Sequence, residues 1–281
     1  MANTFLSIKN IARQALPRLI ENLVFPNLVH RDFSNDFELG KGATIQVRKP
    51  VVLTAAEFTG SVNYQDVIEP SIDVTLDKLA TVDVAFGALE RATSVDDLNR
   101  LFIEPAAVAL AQKINADGLK LLADVTATTD AVDPKTLDAF AQAAKVLNVA
   151  KVPLTPRYGV WSPDAEADFR TVPAIVNAEK SGTTAALRSG SIGQIFGIEN
   201  YMAQGVSDML GCVFHPYAFA FVTRPLAQPS GVESYTTSYN GITLRVTKGY
   251  DMKTKTEMLS MDVLYGYKTM DKNLATKVVG A

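Results

Sequence analysis

Apolar residues recur every three to four positions in some stretches of the chain and every second position in others. Residues 5–25 are of the first kind. Ile8, Ile11, Ala15, Leu19 and Leu23 fall on one stripe, while Lys9, Arg13 and Arg18 fall away from it, which predicts an amphipathic helix. Pro17 should kink or interrupt that helix, because proline has no N–H to donate and its ring crowds the preceding turn. The stripe must be buried either on the chain's own domain or on a neighbouring subunit, and the pattern leaves both open.

From about residue 37 the period becomes two. In residues 43–49 (ATIQVRK), Ile45 and Val47 face one way and Thr44, Gln46 and Arg48 the other. After Pro50 a second extended stretch leads to a tip rich in turn formers, Thr59, Gly60, Ser61 and Asn63. The return runs from Ile72 to Phe86, with Val82, Val84 and Phe86 alternating against Thr81, Asp83 and Ala85. Two long extended arms joined by a polar tip predict a protruding hairpin, a flap. Its apolar content is too low for a core of its own, so it should lie on something else.

Helical signals then return. Ser94 is placed to cap a helix with Asp96 and Asp97 in its first turn. Pro105 breaks or restarts the pattern, and residues 106–125 (AAVALAQKINADGLKLLADV) predict a strong helix with Leu110, Ile114, Leu121 and Leu122 among its apolar positions. Asp133-Pro134 predicts the start of another, running through Leu137, Phe140, Ala144 and Leu147. Residues 151–230 are mixed: a short strand at 158–161, a short helix at 163–169, a loop rich in Ser, Gly and Thr at 180–190, and an extended stretch at 192–202. Near the end Ile242, Leu244 and Val246 alternate with Thr243, Arg245 and Thr247, and Leu259, Met261, Val263 and Tyr265 repeat that pattern. These strands should return to pack on the long helix, giving an α+β chain of interleaved domains without internal repeats.

Composition narrows the function. Of 281 residues, 47% are apolar and 20% charged, enough to bury a core. The net charge of -3 and pI near 5.5 show no basic excess, which disfavours sequence-specific nucleic-acid binding. Cys212 is the single cysteine, which excludes an intrachain disulfide and fits a reducing cytosolic history. Beside Val213 and Phe214 it reads as a small buried hydrophobe. Lys9, Arg13 and Arg18 interrupt the initial apolar pattern, so no signal-peptide core is present, and no run is long enough to span a membrane. A soluble, cytoplasmically made chain is expected.

The search for chemistry nominates no catalytic, cofactor-binding or metal-binding residue. His30 and His215 are far apart and neither has metal-ligand spacing, so both are expected to be structural. No G-x-S-x-G, Walker A or G-x-G-x-x-G pattern occurs. Gly190, Gly193 and Gly197 (GSIGQIFG) miss the phosphate-loop spacing and lack its lysine, which leaves tight turns as their role. Asp96 and Asp97 suit a helix start, and Asp164, Glu166 and Asp168 a solvated helix face without a calcium-loop pattern. The chain is expected not to be an enzyme.

Arm, flap, long helix, mixed central region and returning strands, in that order, resemble the major capsid proteins of tailed phages, which share the Hong Kong 97-like fold. Local phrases carry the likeness too. Residues 22–31 (NLVFPNLVHR) and 42–50 (GATIQVRKP) resemble the entry into the flap in the coat-protein branch, and 101–117 (LFIEPAAVALAQKINAD) resembles the spine-helix segment. Residues 189–204 (SGSIGQIFGIENYMAQ), 215–226 (HPYAFAFVTRPL), 244–251 (LRVTKGYD) and 262–266 (DVLYG) are similar to the central and closing segments.

The resemblance implies an N-terminal arm over residues 1–36, an extended loop over 37–80, a peripheral domain from 81–130 and 231–281, and an axial domain over 131–230. It implies a homo-oligomer of hexamers and pentamers that tile an icosahedral virion capsid around double-stranded DNA, assembled in the host cytoplasm. Arm and flap would then bury their apolar faces against other copies. The DNA would be contacted without sequence specificity, with no cofactor and no membrane. Some relatives carry a long N-terminal scaffolding region; here the arm begins almost at Met1, which implies a separate scaffolding protein beside a portal. Some relatives crosslink a flap lysine to an asparagine, but nothing marks Lys41 or Lys49 for that role. Inter-subunit contacts are expected at Arg13 and Arg18 on the arm, Arg48 and Lys49 on the flap, and Glu57 and Asp66 near its tip. Rival readings are the shell of a nanocompartment or gene-transfer particle, a hydrolase uniting a serine with His30 or His215, and a β-rich tail or adhesion module.

Overall fold

In a computed structural model, residues 8–31, 44–48, 55, 57, 60, 71–87, 103–176, 192–239, 241–253 and 256–281 are described. Expectations for Ser94, Asp96, Asp97, the loop at 180–190 and most of the flap tip lie outside them. The chain begins with α1 (Ile8–Asn22) and α2 (Phe25–Leu28), followed by the ribbon strands β1 (Thr44–Arg48) and β2 (Ser71–Thr75), β3 (Lys78–Gly87) and the spine helix α3 (Glu104–Leu119). Then come α4 (Asp138–Val149), β4 (Arg157–Trp161), α5 (Pro163–Phe169), α6 (Pro173–Val176), β5 (Gln194–Ile195), β6 (Ile198–Met202) and β7 (Gly211–Phe214). The closing strands are β8 (Phe219–Arg224), β9 (Glu233–Tyr239), β10 (Ile242–Asp251), β11 (Thr256–Thr269) and β12 (Ala275–Val278).

One sheet runs β3-β11-β10-β9, with β8 paired to the second half of β11. The other runs β12-β7-β4-β6-β5, with β4 and β6 parallel. Sheet membership crosses residue 230 both ways: β8 joins the long-strand sheet, and β12 joins the sheet of the central region. In the first sheet the alternation read from sequence is kept. Ile242, Leu244, Val246, Met261, Val263 and Tyr265 are all buried, and they share one core with α1 and α3. The second sheet has its own core, centred on Phe140, Trp161 and Phe169, whose ring centroids lie 4.6–4.9 Å apart.

Helix α1 forms with Pro17 inside it, on the exposed side. Its buried stripe is Ala12, Ala15, Leu16, Leu19 and Leu23, with Ile11 at the margin, and it packs on α3, β9 and β10 of the same chain. This settles the open choice for the described residues and corrects the expectation that the arm buries this face on other copies. Asn115 on α3 fastens the junction: its Oδ1 accepts the N–H groups of Val24 (3.1 Å) and Phe25 (3.3 Å), and its Nδ2 donates to Asn22 O (3.0 Å). These are the orphan groups of two helix ends, satisfied by one side chain. Leu19→Ala should therefore destabilise the subunit by about 2–5 kcal/mol in urea unfolding, as a buried leucine does. A loss below about 1 kcal/mol would mean that α1 is not part of the subunit's core.

Two helix boundaries differ from expectation. The spine helix takes Pro105 into its first turn, where no N–H is needed, and its last turn tightens to a 3₁₀ turn over Lys120–Asp124. Helix α4 starts at Asp138, not at Asp133-Pro134. Asp133 uses its capping oxygen on Lys135 N–H (2.9 Å) and its carbonyl on Thr136 N–H (3.2 Å), which makes a separate turn. Val132 N–H bonds Val279 O (3.0 Å), holding the residue before that turn in the sheet's company. The short helix at 163–169 begins as expected, with Ser162 Oγ accepting Ala165 N–H at 3.2 Å.

Candidate assembly site at the root of the flap

The flap's first and last strands pair antiparallel, from Thr44 opposite Thr75 to Arg48 opposite Ser71. Alternation then sorts their side chains. Gln46, Ser71, Asp73 and Thr75 are exposed, while Val47, Val74 and Leu76 are buried, with Ile72 packed beside them. The floor beneath is the outer face of the long-strand sheet. Even-numbered Ala220, Val222 and Leu264 meet the ribbon together with Met270, while odd-numbered Phe219, Phe221, Tyr265 and Tyr267 face the helices. The ribbon's base is thus seated on its own subunit, which corrects the expectation that the whole flap lies on other copies.

Gly266 makes the seating possible. It lies in the second half of β11 on the outer face, where the backbone of Thr75 and Leu76 crosses directly above it. A Cβ there would meet the Thr75 carbonyl oxygen, and would lie 2.9 Å from Thr75 C and 3.3 Å from Leu76 Cα. These are backbone atoms and cannot swing aside as a side-chain tip can. Glycine inside a strand pattern is the one sequence signal for such an approach.

The sheet under the root is locked to the spine helix from its other face. Tyr265 Oη donates to Asp117 Oδ2 (2.8 Å) and Tyr267 Oη to Ile114 O (3.1 Å). Asp117 also holds Lys113 and Lys120 at 3.1 Å and 2.7 Å. On the outer face Arg245 pairs with Asp262 (2.6 Å) and donates to Ala227 O (2.8 Å), joining β10, β11 and the loop after β8. The sequence reading missed Gly266, Asn115 and Asp117.

Of the residues expected at contacts, Arg13 is exposed on α1. Arg18 is exposed and pairs within the chain, with Glu21 at 3.2 Å and Glu104 at 3.4 Å, linking arm to spine helix. Glu57 is exposed, and Arg48 ends β1. The Arg48 side chain, Lys49 and Asp66 lie outside the described residues. Among the large apolar side chains that stand in solvent, two groups cluster. Tyr250, Met252 and Met258 stand at the β10–β11 end, Met252 at 82% exposure, and Phe196, Tyr201 and Met202 along β5 and β6. Phe196 (φ 50°) and Gly197 (φ 78°) make the two-residue turn between those strands, so Gly197 serves a hairpin.

Chemistry finds little foothold. Cys212 is fully buried, and burial pushes its thiol up to about 12. Both histidine rings pack on Tyr217. A shallow cleft of about 380 Å³ beside the end of α3 holds Lys120, Ser207 and Asp208 but neither histidine. Among the described residues no group of His, Cys, Asp or Glu could hold a metal ion, and no helix is long and apolar enough to cross a membrane.

No protein-family model matches the chain, and no curated protein matches its sequence. Solved structures do. One from Mycobacterium phage Che8 superposes with a TM-score of 0.70 at 22% identity, covering 92% of each chain. The capsid of the cyanophage P-SCSP1u gives 0.61 at 12% identity over 86% of this chain and 85% of that one. The chain has the α+β fold of phage capsids. A virus-like particle from Pyrococcus furiosus shares it, with a TM-score of 0.57 at 11% identity over 96% of this chain and 98% of that one. Within this capsid fold the described parts of the ribbon and arm are both packed on the rest of the same chain.

Proposed function

We infer that the chain is the major capsid protein of a tailed phage, whose copies assemble into hexamers and pentamers of an icosahedral shell around double-stranded DNA. The observation that carries this reading is the capsid fold over nearly the whole chain. In this reading residues 1–36 are the arm, 37–80 the extended loop, and 81–130 with 231–281 the peripheral domain, while 131–230 is the axial domain. The pairing of β8 with β11 and of β12 with β7 across residue 230 supports domains that are interleaved in sequence. Arg13, Arg18, Arg48, Lys49, Glu57 and Asp66 are contact residues, joined by the exposed apolar groups around Met252 and Phe196. Each contact is weak, and repetition around a closed symmetric shell makes the sum strong. A separate scaffolding protein and a portal complete the particle, assembly takes place in the host cytoplasm, and the subunit itself catalyses nothing.

A second reading, a nanocompartment or gene-transfer shell, is favoured by the near-complete overlap with the Pyrococcus furiosus particle. One experiment addresses both. The chain is expressed alone, then with scaffold candidates from its own genome, and is followed by light scattering and negative-stain electron microscopy. Rings, tubes or shells are expected, and closed shells formed without a helper would remove the need for a scaffold. Particles from infected cells that hold DNA support the phage reading, and particles filled with protein support the nanocompartment. A chain that stays monomeric even with scaffold sinks both.

A further inference from the structure

The two histidines of the chain pack against one tyrosine. The His215 ring lies 5.4 Å from that of Tyr217, nearly parallel at 19°, and the His30 ring lies 4.5 Å from it at 50°. The backbone here forms a clasp. His30 N–H donates to Pro216 O (3.2 Å) and Phe219 O (3.1 Å), and Phe221 N–H donates to His30 O (3.0 Å). These bonds tie the end of the arm to the corner between β7 and β8, just before the chain leaves Arg31 toward the flap.

His215 starts that corner. It precedes the 3₁₀ turn Pro216–Ala218 and caps it, its Nδ1 accepting Tyr217 N–H at 3.4 Å. A ring nitrogen that accepts a backbone N–H carries no proton of its own, so His215 is neutral with its hydrogen on Nε2. Among the described residues, no carboxylate is bonded to the ring in return for a proton. From β4 comes Arg157, itself buried and bonded to the carbonyls of Val152 (2.7 Å) and Pro153 (2.8 Å). Beside it, Asp271 spends its carboxylate on Asn273 N–H (3.0 Å) and Lys272 is exposed. The corner itself supplies Tyr217, and the arm supplies His30 and Arg31, the latter bonded to Asn27 Oδ1 (3.0 Å).

We propose that this clasp is a proton-operated latch on the arm: protonation of His215 at Nδ1 removes the acceptor that caps the corner and frees the segment around His30 from β8. Burial first, and then the charge of Arg157, hold the closed His215 below the ordinary value of 6.5. The sign follows from linkage. The released segment binds the proton more readily than the closed clasp does, so the latch is fully held above pH 6.5. It weakens as pH falls from there through the lower value of the closed state. The latch belongs to the subunit and stands or falls independently of the shell reading.

Amide hydrogen exchange on the full chain tests it, at the N–H groups of His30 and Phe221 and corrected for the intrinsic effect of pH. Protection should fall severalfold between roughly pH 7.5 and pH 5. His215→Asn keeps an acceptor oxygen for Tyr217 N–H but does not titrate, so its protection should stay level. His30→Gln should respond to pH as the native chain does. Level protection in the native chain, a native-like response in H215N, or loss of the response in H30Q overturns the proposal. Should H215N not fold, the His215 ring can be titrated by NMR in the native chain, where a ring that takes up its proton without loss of protection overturns it equally.

Discussion

Gly266→Val is expected to abolish seating of the flap while leaving most of the subunit folded. The new side chain would occupy the place of the Thr75 and Leu76 backbone, and neither partner can yield by changing rotamer. Overpacking in a fixed core costs about 1–3 kcal/mol. Lifting the ribbon instead exposes Val47, Val74 and Leu76, at about 1.5–3 kcal/mol for each large side chain. Between these penalties the ribbon should shift, because its core is small and separate whereas β11 is paired along both edges. Offset by the conformational entropy that the released ribbon regains, the expected result is a net loss of about 3 kcal/mol in urea unfolding, a near-native circular dichroism spectrum, and fast amide exchange over residues 72–75. If the flap meets neighbouring copies, shell yield should fall at least tenfold. Gly249→Ala is the control, since a Cβ there meets nothing within 4 Å. Native exchange at 72–75 in G266V would show that the root does not depend on this crossing.

The sequence made the regular elements legible and left their meeting points hidden. The alternation of Ile242, Leu244 and Val246 is a local property, and all three are buried as it required. The helix at 163–169 was legible because Ser162, Pro163 and the acidic first turn act within a few residues. Asp133 misled because the same oxygen that caps a helix can close a turn, and only the bond of Val132 to Val279 decides between them. The partner of the arm's stripe was hidden for a related reason. Period shows that Leu19 must be buried, and says nothing of whether α3 or another copy covers it. Gly118 and Gly266 stood in plain view in the sequence. What makes them irreplaceable is Phe25 and Tyr267 against the first, and Thr75 against the second, all distant in the chain. The contact residues nominated on the flap lie mostly beyond what is described, and their roles rest on charge and position alone.

Asp117→Ala should be the most damaging change at the junction of spine helix and sheet. Asp117 sits buried on α3 and accepts Tyr265 Oη from β11, a contact between residues far apart in sequence. Burial alone would raise its pKa. Hydrogen bonds from Lys120, Tyr265 and Lys113, and then the charge of Lys78, outweigh it and hold the carboxyl at about 2 against an ordinary 3.8. That difference corresponds to about 2 kcal/mol of stability at neutral pH. Since the folded value lies below the unfolded one, the contribution is complete above about pH 4 and is lost as pH falls through about 2. In the alanine variant the two lysines are exposed enough to return to water. The buried Tyr265 hydroxyl is not, and its stranding adds about 1–3 kcal/mol. A total of about 3–5 kcal/mol is therefore expected in urea at neutral pH. Asp117→Asn keeps an acceptor for Tyr265 and loses only the charge, so its deficit should be smaller and should shrink toward zero as pH approaches 2. A D117N deficit that stays constant between pH 7 and about 2 would show that packing, not the carboxylate's charge, holds the spine helix to the sheet beneath the flap.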